Sequence, residues 1–380
     1  MGGLKRALVI AGEASGDMHA ANLIRELALL KPDLSFFGIG GERMRAAGVE
    51  ILTSVEELSV IGFTEVLSKV GAIKRAMSLL HREAVRRGPD VAVLVDYPGF
   101  NLRFARRIRH LVPKIIYYIG PQVWAWGSWR AKFIPNYFDA LISVIPFECK
   151  IYRGTGLRCF FVGHPVLDLV RPSVTRQEFR SRYDIADELL VGIVPGSRRE
   201  EVKRILPVML NSAGVMKRRM DGVSFAVSAA ETIDSRLVQD LCNRFYGGAS
   251  VVKGCAYDLM HASDILMVAS GTATLEAAVL GKPMSIVYKT SPLTWALAKG
   301  LVKVRSVGLA NIIAGREIVP EFIQYDATPE RIACELLSLV KDEARLALME
   351  EDLKLVRERL GDTGASRRAA GIVVDVSDSI

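Results

Sequence analysis

Asp264-Ile265-Leu266-Met267-Val268-Ala269-Ser270-Gly271-Thr272-Ala273-Thr274-Leu275-Glu276-Ala277-Ala278-Val279-Leu280 is the stretch that decides the fold. It opens on a short apolar run of the length of a buried parallel strand, and its end continues as a helix. The loop between them is nearly all small or hydroxylated. A strand that ends in Ser-Gly-Thr and restarts as a helix presents free N–H groups and hydroxyls at a positive helix end, which suits an anion. Glu276 follows where a carboxylate would reach a ribose. Ser270, Gly271, Thr272, Ala273, Thr274 and Glu276 are therefore read as the wall of a nucleotide-diphosphate pocket in the second half of the chain.

Working outward, the same pattern recurs. Arg6-Ala7-Leu8-Val9-Ile10-Ala11 is an apolar strand followed by Gly12-Glu13-Ala14-Ser15-Gly16-Asp17 and an amphipathic helix through Leu30. Leu189-Leu190-Val191-Gly192-Ile193-Val194 runs into Pro195-Gly196-Ser197-Arg198 and a charged helix. Further apolar runs at 36–38, 91–95, 114–119 and 140–144, then 224–227, 265–268 and 284–287, alternate with helical segments. Such alternation gives parallel sheets covered by helices. The expected fold is α/β, with two Rossmann-like domains facing each other across a cleft and ligands at the carboxyl ends of the strands. The domains are set at 1–170 and 171–345, with the boundary falling within 168–185. Residues 346–380 form a C-terminal helix and tail that pack back on the first domain or on a partner subunit. The chain is helical and charged from Thr328 to about Arg359, and the conformation of 361–380 stays open.

Composition narrows the class. The chain has 380 residues, half of them hydrophobic, enough for two cores, and a net charge of +8. That excess favours anionic partners; with no basic tail, phosphorylated substrates or an anionic membrane face are preferred to nucleic acid. Cys149, Cys159, Cys242, Cys255 and Cys334 lie far apart in sequence without a Cys-x-x-Cys, which argues for a reducing compartment and against structural zinc. The amino terminus runs straight into a strand, and no apolar stretch reaches the ~18 residues of a spanning helix, so a protein that is cytosolic, or attached to the membrane from that side, is expected.

A dehydrogenase would show Gly-x-Gly-x-x-Gly after its first strand, and neither half does. Residues 38–41 are glycine-rich with the wrong spacing and read as a turn. Asp96 ends the strand 91–95 before Tyr97-Pro98-Gly99-Phe100-Asn101. From spacing alone it is equally a general base at the sheet rim or a turn aspartate. Glu13 and Asp17 are its rivals, and Asp17 sits where a helix N-cap belongs. Arg198 is better explained by phosphate binding than as a solvated helix-start cation, since a cation in the first turn opposes the helix dipole. No Asp-x-Asp occurs, so neither a metal nor another cofactor is expected.

Five segments in order, 11–17, 121–126 (Pro-Gln-Val-Trp-Ala-Trp), 195–198, 269–276 and 311–317 (Asn-Ile-Ile-Ala-Gly-Arg-Glu), resemble the lipid-A-disaccharide synthase family over nearly the whole chain. Ala20, where many relatives carry glycine, is a small departure that bears on helix packing. The resemblance implies a two-domain glycosyltransferase of the GT-B architecture. It would join UDP-2,3-diacylglucosamine to the lipid monosaccharide phosphate 2,3-diacylglucosamine 1-phosphate through a β-1,6 bond with inversion, releasing UDP. It favours Asp96 as base and Arg198 at the departing diphosphate. Glu13 would orient the acceptor, with Ser15, Ser197, Asn311 and His164 among the substrate-binding residues. Core and cleft wall are expected for at least one of Trp124, Trp126 and Trp129, with stacking against substrate open for the rest.

Val66, Val70, Ile73, Met77 and Leu80 form one helical stripe bordered by Lys74 and Arg75. Core packing and docking of acyl chains on anionic lipid explain Val66, Ile73, Leu80, Lys74 and Arg75 equally well. The resemblance places the enzyme at the cytoplasmic face of the inner membrane; a homodimer is left open. The alternatives are another UDP-sugar enzyme of the same architecture, such as a UDP-GlcNAc 2-epimerase, and a non-catalytic lipid carrier.

Overall fold

The computed structural model describes residues 4–55, 63–125, 128–185, 189–291, 295 and 306–379, without the side chains of 63–70 and 128. It divides into two compact units, Met1–Pro165 with Leu360–Ile380, and Val166–Arg359.

The first unit is built on a parallel sheet of β1 (Arg6–Ala11), β2 (Ser35–Gly40), β3 (Val49–Ser54), β4 (Val91–Val95), β5 (Lys114–Tyr118), β6 (Ala140–Ser143) and β7 (Arg158–Phe161). The spatial order is β3-β2-β1-β4-β5-β6-β7, so the winding reverses between β1 and β4. β4 is buried along its whole length, as expected of a strand covered on both faces. Helices α1 (Ala14–Leu30), α2 (Glu42–Ala46), α3 (Phe63–Arg87) and α4 (Pro98–Ile108) belong to this unit. The glycines at 38 and 40 lie inside β2 instead of a turn. A Cβ on Gly38 would fall 1.8 Å from the Val9 carbonyl oxygen, so only glycine lets β2 come so close to β1.

Asp17 does not cap its own helix. Glu13 is the N-cap of α1, while the buried Asp17 carboxylate accepts the backbone N–H groups of Gly41, Arg43 and Met44 and thereby caps α2. The stripe on α3 is core over its described part. Ala76, Leu80 and Ala84 are buried, and Ile73 and Met77 pack against the same cluster. Leu80 therefore contacts no lipid, while Lys74 and Arg75 are exposed; the Val66 and Val70 side chains fall outside the described residues. Cys149 and Cys159, ten residues apart in sequence, meet in a disulfide with Cα atoms 5.3 Å apart. This corrects the reading of all five cysteines as distant.

The second unit repeats the plan. Its sheet holds β8 (Leu189–Val194), β9 (Val223–Ala229), β10 (Ala249–Lys253), β11 (Ile265–Ala269), β12 (Met284–Tyr288) and β13 (Glu321–Ile323), all parallel, in the order β10-β9-β8-β11-β12-β13. Its helices are α5 (Val166–Leu169), α6 (Arg176–Arg182), α7 (Arg199–Arg219), α8 (Ser235–Phe245), α9 (Ala256–Ala262), α10 (Ala273–Val279), α11 (Leu309–Ala314), α12 (Pro329–Lys341) and α13 (Glu343–Arg359). The expected boundary segment 168–185 is fastened to this unit: Ser173 donates to the buried Asp258 carboxylate, and Arg176 and Arg180 pair with Asp264. So are residues 346–359, because Met349, Leu353 and Val356 of α13 are buried here.

Beyond α13 the chain returns to the first unit as α14 (Ala365–Asp378). Ala365, Ala369, Ala370, Val373 and Val376 are buried against α1 and neighbouring strands. The Arg368 guanidinium donates to the carbonyls of Val162, Asp362 and Thr363, and Lys31, the C-cap of α1, pairs with Asp378. No described helix is long and apolar enough to cross a membrane.

Candidate active site

In each sheet the point where the winding reverses leaves the carboxyl ends of two neighbouring strands diverging, and the candidate residues sit there. In the first unit Ala11 of β1 lies beside Val95 of β4, and Val95 beside Tyr118 of β5. That register brings Gly12 and Glu13, then Asp96 and Tyr97, then Ile119, to one edge of the sheet. The backbone there is strained. Asp96 and Tyr97 both have φ of 47°, and Ile119 has 60°. Left-handed φ is costly for residues with a Cβ, worst for a β-branched one, and persists where surroundings over-determine it.

Asp96 is part-buried; its backbone N–H donates to the Tyr118 carbonyl and its own carbonyl accepts from the Tyr117 hydroxyl at 3.0 Å. The Tyr97 ring lies against Gly12, where a Cβ would come within 2.0 Å of Cδ1. Burial, and secondarily the Glu13 carboxylate, raise the Tyr97 hydroxyl above its ordinary pKa. The β1 and β4 loops thus touch through this ring. Ser15 is exposed on α1. His164 is buried, its backbone N–H bonded to the Leu360 carbonyl. Burial, with His19 nearby, lowers its pKa to about 3, so its ring is neutral. Trp124 is part-buried edge-on to Phe147, Trp129 is exposed beside Phe133, and Trp126 lies outside the described residues.

In the second unit Val194 of β8 lies beside Val268 of β11, which sets Gly196-Ser197-Arg198 against Ser270-Gly271-Thr272. Arg198 is the N-cap of α7 and precedes its first turn, so its guanidinium is exposed ahead of the helix. The Ser197 carbonyl accepts from Thr232, which ties the loop to its neighbour. Gly196, at φ 100°, lies against Glu201 of α7: a Cβ would be 2.5 Å from Oε2. In the β11 loop Gly271 and Thr272 are exposed and Ala273 is half-buried. The Ser270 and Thr274 hydroxyls are spent internally on the carbonyls of Val307 and Gly271. Burial pushes the Glu276 carboxyl up to about 7, against the opposing hydrogen bond from the Tyr257 hydroxyl.

Asn311 is placed differently from the other polar residues. It is 1 % exposed; its Nδ2 donates to the Val319 carbonyl and the Glu321 carboxylate, and its Oδ1 accepts from the N–H groups of Ile318 and Val319. Its side chain locks the loop 311–321. Residues that sequence reasoning missed are Gly12, Tyr97, Asn101, Tyr117 and Ile119. The signal for Asn101 was present in Asp-Tyr-Pro-Gly-Phe-Asn, a polar residue returning one turn after a strand-end loop.

The chain matches the model of a family described as lipid-A-disaccharide synthetase over residues 7–376. The lipid-A-disaccharide synthase of Geobacter sulfurreducens is 42% identical to it, covering 98% of this chain and 97% of that protein. The enzyme of the same name from Geobacter metallireducens is likewise 42% identical, over 98% and 97%. Among solved structures, a UDP-GlcNAc 2-epimerase from Neisseria meningitidis bound to UDP-GlcNAc superposes with a TM-score of 0.63 at 11% identity, covering 97% of this chain and 100% of that one. At that identity the likeness speaks for the two-sheet fold alone. From the match across both sheets and both strand-end loop pairs, the chain belongs to the lipid-A-disaccharide synthetase family.

Proposed function

We propose that this protein transfers a diacylglucosaminyl group from UDP-2,3-diacylglucosamine to the 6-hydroxyl of 2,3-diacylglucosamine 1-phosphate, with inversion, releasing UDP. An inverting transfer needs a base for the acceptor hydroxyl and a device that stabilises the leaving diphosphate, because the transition state is oxocarbenium-like. Asp96 supplies the first and Arg198 the second. Glu13 orients the acceptor, with Ser15 on the same edge. Ser197, Gly271, Thr272 and Ala273 cradle the phosphates, while Ser270 and Thr274 shape that loop. Glu276 accepts from the ribose, and Asn311 serves by fixing its loop. His164 serves as a neutral buried group beside the 360–364 turn. The bound lipids are met at an anionic membrane face, where the exposed Lys74 and Arg75 make the first contact.

The observation that carries this reading is Asp96 itself, a half-buried carboxylate in strained backbone where the first sheet reverses its winding, in a chain of this family. The test supplies the purified protein with both lipid substrates. UDP release that requires both of them is the expected result. Isomerisation of UDP-GlcNAc without an acceptor, or binding without release, would overturn the proposal in favour of an epimerase or a carrier.

A further inference from the structure

The backbone that presents Asp96 is held by groups to which no role has been given. Two consecutive residues with side chains, Asp96 and Tyr97, share a φ of 47°. Left alone, the pair would relax toward ordinary φ and swing the carboxylate away. Asn101, 0 % exposed, sits one turn into α4, and its Nδ2 donates to the carbonyls of Val95 at 3.1 Å and Asp96 at 2.6 Å. The buried Tyr117 hydroxyl donates to the same Asp96 carbonyl at 3.0 Å. The Tyr97 carbonyl is taken by the N–H groups of Phe100 and Asn101. The Asp96 carbonyl is thus gripped by two side-chain donors on elements that cannot move independently, one on α4 and one in the middle of the sheet.

We infer that Asn101, seconded by the Tyr117 hydroxyl, is a positioning residue for the general base: it fixes the direction in which Asp96 points without meeting substrate. Asparagine suits the task because one NH₂ group offers two donors. Aspartate in its place would set acceptors against acceptors, and a shorter serine would not span both carbonyls. The inference rests on Asp96 being the base.

The experiment is a cycle. Asn101→Ala and Tyr117→Phe, singly and together, are made in the Asp96 protein and again over Asp96→Asn. For each protein, kcat, the KM of both lipid substrates, UDP affinity by calorimetry and thermal unfolding are measured. In the Asp96 background kcat is expected to fall about 10- to 100-fold for Asn101→Ala, as for a base misplaced by about an ångström, and less for Tyr117→Phe. UDP affinity should hold. Over Asp96→Asn the same changes should alter the residual rate less than about twofold, because nothing is left to aim. Equal losses in both backgrounds would make Asn101 a support of the fold and overturn the inference; near-normal kcat in the double variant would do the same. Tyr117→Phe preserves shape, so it keeps the test decisive should Asn101→Ala not fold. An Asp96→Asn protein that stays active would instead remove the base assignment, and that is seen before any change at Asn101.

Discussion

Replacing Gly12 by alanine tests whether the β1 and β4 loops act as one body. The φ of Gly12 lies outside the left-handed region, so its backbone accommodates alanine and the whole effect arises from the added methyl. That methyl would sit 2.0 Å from Cδ1 and 2.3 Å from Cγ of Tyr97, whereas ordinary contact begins at 3.4 Å. The ring must retreat by more than an ångström. It cannot do so freely, because it stacks on Phe100 with centroids 5.8 Å apart and belongs to the N-cap of α4. Overpacking of this kind costs ~1–3 kcal/mol, and a base moved by about an ångström loses ~10²-fold in rate. The expected protein is folded, melts about 2–10 °C lower, turns over about 10- to 100-fold more slowly and binds UDP as before. Thermal unfolding, steady-state kinetics and calorimetry read the three quantities. Over Tyr97→Ala, which empties the space, Gly12→Ala should cost almost nothing more. Full activity with an unchanged melting point, or equal losses with and without the Tyr97 ring, would refute the reasoning.

Three further outcomes follow from the same geometry. Arg198→Ala should leave melting unchanged and reduce turnover about 10²–10³-fold, as expected for a charge-assisted contact to the leaving diphosphate worth ~2–4 kcal/mol; a folded variant of near-normal rate would remove that assignment. The Glu276 carboxyl, with its pKa up at about 7, accepts from ribose hydroxyls more strongly when ionised, so acidification protonates it and weakens binding. UDP affinity should fall up to about tenfold per pH unit below 7, and the component due to Glu276 should vanish in Glu276→Gln; identical slopes in both proteins would contradict this. On α3, Leu80→Ala should cost ~2–5 kcal/mol in stability, whereas Lys74→Glu with Arg75→Glu should leave stability unchanged and weaken sedimentation with phosphatidylglycerol vesicles at low salt. Vesicle binding unaffected by the charge reversal would place the membrane contact elsewhere.

The two-sheet architecture was legible because its inner strands are uninterrupted apolar runs; 91–95 and 189–194 could be read to the residue. The unread strands β3, β7, β10 and β13 are the outermost of their sheets. Half-exposed on one side, they carry mixed sequences such as Arg-Cys-Phe-Phe and lose the apolar signal. α14 escaped for a different reason. Its buried face is built from alanine and valine with Gly371 within the helix, so it carries little hydrophobic contrast. Among the candidate residues, the strand-end places of Asp96, Glu13 and Arg198 were legible because a polar residue after a buried strand stands out. Asn101, Tyr117 and Gly12 were not, because their importance lies in which carbonyl or ring they meet. Asp17 shows the limit plainly: it caps a helix, as aspartates do, but one whose first N–H is 24 residues away.

The return of α14 to the first unit sets an order of events during synthesis. The ribosome emits the core strands of the first unit, then the whole of residues 166–359, and only then the helix that covers α1. At about 5–20 residues per second that interval lasts ~10–40 s, during which the apolar face awaiting Ala369, Ala370 and Val373 stands open to water. A nascent chain stalled within the second unit would display that face, so the first unit, though begun earlier, is completed only at the end of synthesis.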